Sequence, residues 1–202
     1  QCSNGKIFRG ISIDSKLNYV SKLSQKNHYK GLRGDSVKKF HYDYFIFIKN
    51  EKFSKLDLMK NKKIVLQNIF SSESGIIANF DDKELVTLDT VTNIILDCED
   101  PYYVLGILNS SLIRFFMVFV IYNQSRLTMH TDHKYLSRIP IPVTTTKIKK
   151  QIIKEVKNQL KTQTSFENLN ELIFDAFDLL NKEKQLVNTC LKEFDQRGKK
   201  NG

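Results

Sequence analysis

The hydrophobic pattern of this chain changes its period near residue 100, and that change limits which folds the chain can adopt. Before it, short runs of β-branched and aromatic residues follow one another closely, as in residues 44–48 and 63–70, which is typical of β-strands. After it, Asp100 and Pro101 form a favourable helix start, and residues 109–111 begin a second helix. The pattern predicts an α+β fold: a twisted mixed β-sheet of about five or more strands, packed by a buried helical pair and followed by C-terminal helices.

Amphipathic patterns continue toward the C-terminus. Residues 147–161 place apolar side chains on one side and lysines on the other, and residues 164–180 repeat apolar residues at helical spacing after a capping-box pattern. We therefore divide the chain into a domain of residues 1–145, a helical segment of residues 146–195 that packs on it or on a partner domain, and a frayed tail of residues 196–202.

The charge of the chain is segregated along the sequence. Lys and Arg number 32 against 22 Asp and Glu, which gives a net charge of +10. Residues 1–63 carry +10 and residues 113–161 carry +8, whereas residues 64–112 carry −7 and residues 162–202 carry −1. Two basic blocks suit a surface that meets a polyanion, because neutralising phosphates releases counterions. The alternative is a lysine-rich composition that forms only a solvated face.

The apolar runs, the first residues and the cysteines of the sequence indicate the cellular compartment of the protein. The longest apolar run, residues 112–122, is interrupted by Arg114 and is about half the ~20 residues of a membrane helix. No signal peptide opens the chain. We therefore expect a cytoplasmic protein without a membrane partner. Cys2, Cys98 and Cys190 are odd in number and widely spaced, so we expect them to be reduced.

The motifs of common enzymes are missing from the sequence. There is no glycine-rich phosphate loop, GxSxG, HExxH or paired CxxC, and no glycine-rich cofactor turn or Asn-Pro-Pro-aromatic loop of a methyltransferase. His130, Asp132 and His133 could form a small metal site, but such a stretch is more often a hydrogen-bonding or phosphate-facing loop. Carboxylate–lysine pairs at residues 81–83 and 155–157 arise by chance in so charged a chain. We expect no catalytic residue, no metal, and no small-molecule ligand.

Several longer landmarks occur in a recognisable order. Residues 32–40 read LRGDSVKKF, residues 103–112 read YVLGILNSSL, residues 136–142 read LSRIPIP, and residues 169–179 read LNELIFDAFDL. Together they resemble the TaqI-like C-terminal specificity domain, the target-recognition domain of adenine-specific DNA methyltransferases and of type IIG restriction enzymes. Val and Phe stand for the usual Ile and Tyr of the first landmark, and a Ser replaces the frequent Lys of the second. The resemblance extends over residues 30 to about 190.

This resemblance implies a target-recognition domain over residues 1–145 that performs no chemistry itself. Its implied partners are double-stranded DNA and a methyltransferase domain, supplied in cis or in trans. That domain would use S-adenosylmethionine and would flip the target adenine out of the duplex. The chain itself would need no cofactor.

Two sets of polar residues are candidates for contact with DNA. Amide and guanidinium side chains can bond base edges bidentately, and lysine and arginine neutralise phosphates. Gln67 and Asn68 interrupt an apolar strand, and we favour a structural role for them. The base-reading candidates are Asn123, Gln124, Arg126 and His130. The phosphate-binding candidates are Arg33, Lys38, Lys39, Lys62, Lys63, Lys134 and Arg138.

Two other functions remain as alternatives to a DNA specificity module. One is a small metal-dependent nuclease that uses scattered carboxylates. The other is a non-catalytic protein-interaction domain whose basic charge is incidental.

Overall fold

The computed structural model describes residues 5–14, 17–126, 128–163 and 165–200, without the side chains of the last two residues. It confirms the α+β class. The strands are β1 (Lys6–Arg9), β2 (Val20–Ser21), β3 (His28–Leu32), β4 (Val37–Lys38), β5 (His41–Tyr42), β6 (Ile46–Lys49), β7 (Lys63–Gln67), β8 (Ile69–Phe70), β9 (Ala78–Asp81), β10 (Val86–Thr87), β11 (Val91–Ile95) and β12 (Met129–His130). The helices are α1 (Leu56–Met59), α2 (Pro101–Asn109), α3 (Ser111–Phe115), α4 (His133–Leu136), α5 (Thr146–Thr162), α6 (Glu167–Ala176) and α7 (Asn181–Lys200).

Among the described residues, the strands form two four-stranded sheets and two short ribbons instead of one sheet. The first sheet has the order β1-β11-β7-β9 and is antiparallel throughout. The second has the order β10-β3-β6-β2, in which β10 runs parallel to β3 and the other pairs are antiparallel. The ribbons pair β12 with β8 and β4 with β5. The mixed strand directions were predicted, but the division was not, because hydrophobic runs do not specify their pairing partners.

The predicted helical pair lies in the main core. The Asp100 side chain caps α2 by accepting the N–H groups of Tyr102 and Tyr103, and the Ser110 side chain caps α3. A π-helical segment, Phe116–Ile121, continues α3. Helix α2 joins the core of the first sheet on one side and packs on α5 on the other. Gly106 permits the α5 contact, since a Cβ there would lie 2.8 Å from the Cγ2 atom of Val156.

The C-terminal helices complete this core. Ile152 and Val156 of α5 are fully buried, and so is Ile173 of α6. Helix α6 begins at Glu167, and Thr164 of the predicted capping box lies outside the described residues. Helix α7 extends to Lys200, beyond the point at which we expected fraying to begin.

Two further features of the described residues concern expectations from the sequence. No single helix among them is long and apolar enough to span a membrane. Only α2 and the helix from Ser111 to Ile121, which meet at a bend of 56°, reach that length and composition when they are joined.

Cys190 is a free thiol, but Cys98 is disulfide-bonded. The expectation of reduced cysteines is therefore wrong for Cys98, because wide spacing in sequence does not exclude proximity in space.

Candidate nucleic-acid interface

A cleft of about 650 Å³, lined mostly by polar and charged residues, opens where strand ends from both four-stranded sheets meet. Strands β1, β3 and β7 end there and β11 begins there, since the residues at these ends line the cleft or adjoin its lining. We call it the strand-end cleft. Its lining consists of Arg9, Arg33, Gly34, Asp35, Lys38, Gln67, Asn68, Ile69, Asp89 and Thr90.

One wall of the strand-end cleft is a tight turn of the landmark LRGDSVKKF. The Arg33 amide donates to the Ser36 hydroxyl at 3.1 Å, and that hydroxyl donates to the Arg33 carbonyl at 2.7 Å. The Gly34 amide donates to the Thr90 hydroxyl at 2.9 Å. A Cβ at Gly34 would lie 2.7 Å from the Thr90 carbonyl oxygen, closer than a carbon atom can approach. The glycine of this landmark is thus required for the contact between the turn and the start of β11.

Substitution Gly34→Ala is expected to lower the free energy of unfolding by about 1–3 kcal/mol, because the added methyl group forces the turn away from Thr90. Urea denaturation followed by circular dichroism measures this loss. Gly5→Ala is the matched control, since its Cβ would come no closer than 3.3 Å to the nearest described atom. Equal stability of the two variants would show that the close approach at Gly34 is not required.

The floor of the strand-end cleft is a hydrogen-bonded network. The backbone amide of Asn68 donates to the Thr90 carbonyl at 2.9 Å. The side-chain Oδ1 atom of Asn68 accepts a hydrogen bond from the Thr92 hydroxyl at 3.2 Å. The Gln67 Nε2 atom donates to the Val37 carbonyl at 2.8 Å, so these bonds use both side chains within the fold. Such satisfied buried groups make a rigid support.

Three cations stand at the mouth of the strand-end cleft. The side chains of Arg9, Arg33 and Lys38 are 46%, 47% and 38% exposed. Each forms one ion pair, with Asp132 at 2.7 Å, Asp35 at 3.0 Å and Asp43 at 3.3 Å respectively. Exposed pairs of this kind contribute at most about 1 kcal/mol, so the cations can exchange carboxylates for other anions.

A second, smaller cleft of about 410 Å³ continues this surface, because Arg9 lines both. Lys134 lies in its wall, with its ammonium 4.7 Å from the centre of the Tyr135 ring. Ile69, which is 51% exposed, lines the first cleft together with its cations. The structure thus brings together three of the predicted phosphate-binding residues, Arg33, Lys38 and Lys134, around Arg9.

The sequence pattern does not identify Arg9 as a member of this surface. The residue lies in the first basic block, but only the pairing of β1 with β11 carries it to the strand-end cleft.

The prediction that Lys63 binds phosphate is wrong. Its side chain is fully buried, forms an ion pair with Asp81, and donates to the Met59 carbonyl at 2.6 Å. Lys62 is exposed but precedes β7, so it lies at the opposite end of that strand from the strand-end cleft. Arg138 is exposed in the turn after α4 and does not line the cleft.

Lys39 is also turned into the fold instead of toward an external anion. Its Nζ atom donates to the carbonyl of Asn109 at 3.2 Å, at the end of α2. Burial, with a smaller contribution from the charge of Arg114, lowers the pKa of Lys39 to about 8. This lysine stabilises the end of a core helix, which makes it a poor candidate for phosphate contact.

The predicted base-reading stretch lies against α7. Asn123 and Gln124 are exposed in a turn with positive φ angles of 46° and 60°. The Arg126 guanidinium donates to the Phe194 carbonyl at 2.5 Å and lies 4.1 Å from the centre of the Phe194 ring. None of these three residues lines the strand-end cleft or the cleft beside it.

His130 does not line either cleft, but it is paired with a residue that lines the strand-end cleft. It pairs with Ile69 across the β12–β8 ribbon, and its amide and carbonyl both bond the Tyr122 hydroxyl at 2.8 Å. Its Nδ1 atom is buried without a hydrogen-bond partner among the described residues. A buried ring nitrogen of this kind retains an unused hydrogen-bonding capacity.

Three of the carboxylates considered for a nuclease form ion pairs or hydrogen bonds within the fold. Asp81 pairs with Lys63, and Glu155 accepts hydrogen bonds from Gln159 and Asn168. Asp132 pairs with Arg9. In the described parts of the chain, no group of three or more His, Cys, Asp or Glu residues is placed to hold a metal ion.

Comparisons with known proteins agree with these landmarks. The family model for the TaqI-like C-terminal specificity domain matches residues 29–141, which is more than half of the chain. The chain matches no curated protein sequence. Among solved structures it is similar to the type IIL restriction-modification enzyme MmeI in complex with DNA, with 10% identity and a TM-score of 0.62. That likeness shows a shared fold over 96% of this chain and 36% of the MmeI chain, so this chain spans about a third of that enzyme. The chain belongs to the family of TaqI-like C-terminal specificity domains.

Proposed function

We propose that this chain is the DNA target-recognition module of a restriction-modification enzyme, and that the strand-end cleft with its neighbour forms the DNA interface. The observation that carries this proposal is the cluster of exposed cations, Arg9, Arg33 and Lys38, around a rigid hydrogen-bonded floor. Membership in a family of specificity domains supports the proposal. The MmeI structure, in which a similarly folded enzyme is in complex with DNA, supports it as well.

The side chains of this surface match the chemistry of duplex DNA. Arg9, Arg33, Lys38 and Lys134 would contact phosphates, which fix the position of the duplex without reading its sequence. Ile69 offers an apolar contact for a thymine methyl group or a base edge. The network beneath it would hold these side chains at fixed positions.

The chemical step would belong to another domain. We propose an adenine-specific DNA methyltransferase as the partner, in cis or in trans, with S-adenosylmethionine bound there. In this arrangement the chain described here supplies position and sequence preference, and the methyltransferase flips and modifies the adenine.

The proposal predicts salt-dependent binding of duplex DNA. Four phosphate contacts at the two clefts give a log–log slope of affinity against salt of about −3.6, and each further contact makes the slope steeper. Fluorescence anisotropy of a labelled duplex between about 50 and 200 mM salt measures this slope. Titration with heparin, a competing polyanion, is expected to displace the labelled duplex if the binding is ionic. A slope near zero would contradict the proposal and favour a protein-interaction domain, and cleavage of plasmid with added Mg²⁺ would favour the nuclease alternative.

A further inference from the structure

Helix α5 carries a second basic surface that is separate from the strand-end cleft. Its lysines recur at intervals of three and four residues. At 100° per residue they fall within an arc of about 80°, and at 1.5 Å per residue they extend over about 21 Å. We call this set the α5 lysine stripe. It consists of Lys147, Lys150, Lys154, Lys157 and Lys161.

The fold holds this stripe toward solvent. Ile152, Val156 and Gln159 lie on the opposite side of α5 and are fully buried. All five stripe lysines are exposed. Because α5 packs tightly against Gly106 of α2, the helix cannot rotate its lysines away from the surface.

The stripe is not neutralised by its surroundings. Glu155, the acidic residue of α5, accepts hydrogen bonds from Gln159 and Asn168. Glu99 forms its ion pair with Lys149, which is not a member of the stripe. Within the described part of the chain, none of the ion pairs within 4.0 Å includes a stripe lysine. Four of the lysines line a shallow groove of about 410 Å³ with Ile153 and Asn158.

The stripe and the strand-end cleft lie toward opposite ends of β7. The ammonium of Lys157 is 4.7 Å from the centre of the Tyr102 ring, and that ring packs on Phe80 at 4.9 Å. Phe80 pairs with Ile64 near the start of β7, whereas the cleft is at Gln67, where the strand ends. A duplex in the cleft would therefore meet the stripe with a different set of phosphates.

We propose that the α5 lysine stripe binds the sugar–phosphate backbone of duplex DNA beyond the segment held in the strand-end cleft. This inference rests on the proposed function, in which DNA is the partner. One strand presents a phosphate about every 3.4 Å of axis, so 21 Å of helix faces about six phosphates. Lysine is depleted in the cores of protein–protein interfaces, and this makes an acidic protein the less suitable occupant.

The test compares two variants with the same loss of charge. In the stripe variant Lys150, Lys154, Lys157 and Lys161 are changed to Gln. In the control variant Lys22, Lys26, Lys52 and Lys192, four exposed lysines of other segments, are changed to Gln. The stripe variant is expected to make the salt slope shallower by about 3 to 4, because up to four phosphate contacts are lost. The control is expected to leave the slope within about 1 of the wild-type value. Thermal unfolding confirms that both variants are folded.

The outcomes separate this inference from the proposed function. If the wild-type chain binds DNA and the stripe variant retains its slope, the inference is wrong, and an acidic protein surface becomes the occupant of the stripe. If the stripe variant loses slope while Arg9→Gln and Arg33→Gln do not, the inference stands and the cleft is not the interface. Failure of the wild-type chain to bind any duplex overturns both.

Discussion

Replacing Lys63 with alanine is expected to lower the free energy of unfolding by about 3–5 kcal/mol, because the substitution leaves a carboxylate buried without its counter-charge. Lys63 and Asp81 both have fully buried side chains and form an ion pair. The Lys63 Nζ atom also donates to the Met59 carbonyl, so one ammonium connects α1, β7 and β9. Asp81 accepts the amides of Lys83 and Leu85 at 2.9 Å each, and these bonds keep the carboxylate in place when the lysine is removed.

The adjacent lysine provides a control for this prediction. Lys62→Ala removes the same chemical group from an exposed position, and we expect a change within about 0.5 kcal/mol. Urea denaturation of the two variants measures the difference in their free energies of unfolding. The comparison requires that the free energy depend on urea concentration with the same slope in both variants. If Lys63→Ala is no more destabilising than Lys62→Ala, the buried pair does not stabilise this fold in the way that its geometry indicates.

Lys63 also shows what sequence can and cannot establish about this protein. The apolar run predicts one strand at residues 63–70, and the structure divides that run into β7 and the short β8. Alternation along one strand does not reveal which neighbour supplies a buried carboxylate, because Asp81 lies 18 positions away on β9. From the sequence alone, a lysine at a strand start is therefore predicted to be a surface cation. Only the pairing of β7 with β9 shows that it is buried.

Helices were easier to predict than sheet topology for a physical reason. The signals for α2 are local: Asp100 at the cap, Pro101 in the first turn and an apolar run after them. The strand-end cleft depends on contacts between distant segments, such as Gly34 with Thr90 and Arg9 with Asp132. No pattern within a single segment encodes those contacts. The landmark LRGDSVKKF does identify part of the cleft lining, since its Arg33 is among the DNA contacts predicted from the sequence.

The placement of the reading residues differs between sequence and structure, and this difference can be tested. The sequence predicts base contacts at residues 123–126 because polar residues there follow an apolar helix. In the structure Arg126 bonds the Phe194 carbonyl of α7, and we place the DNA interface at the strand-end cleft instead. Both sites contain exposed arginines, so variants with equal charge changes distinguish them.

The double substitution Arg9→Gln and Arg33→Gln is expected to weaken duplex binding by about 100-fold at low salt. Each arginine–phosphate contact is a charged hydrogen bond worth about 1.5–3 kcal/mol, and two such losses correspond to at least two powers of ten in affinity. The matched control is Arg126→Gln with Arg197→Gln, which removes one positive charge beside α7 and one on α7 itself. Fluorescence anisotropy with one labelled duplex measures all three proteins. A control variant that binds about as tightly as the wild type places the interface at the cleft, because loss of net charge alone then has little effect. If the control loses as much affinity as the cleft variant while still folded, DNA reaches the turn at residues 123–126, and the sequence-based placement of the reading residues is the better one.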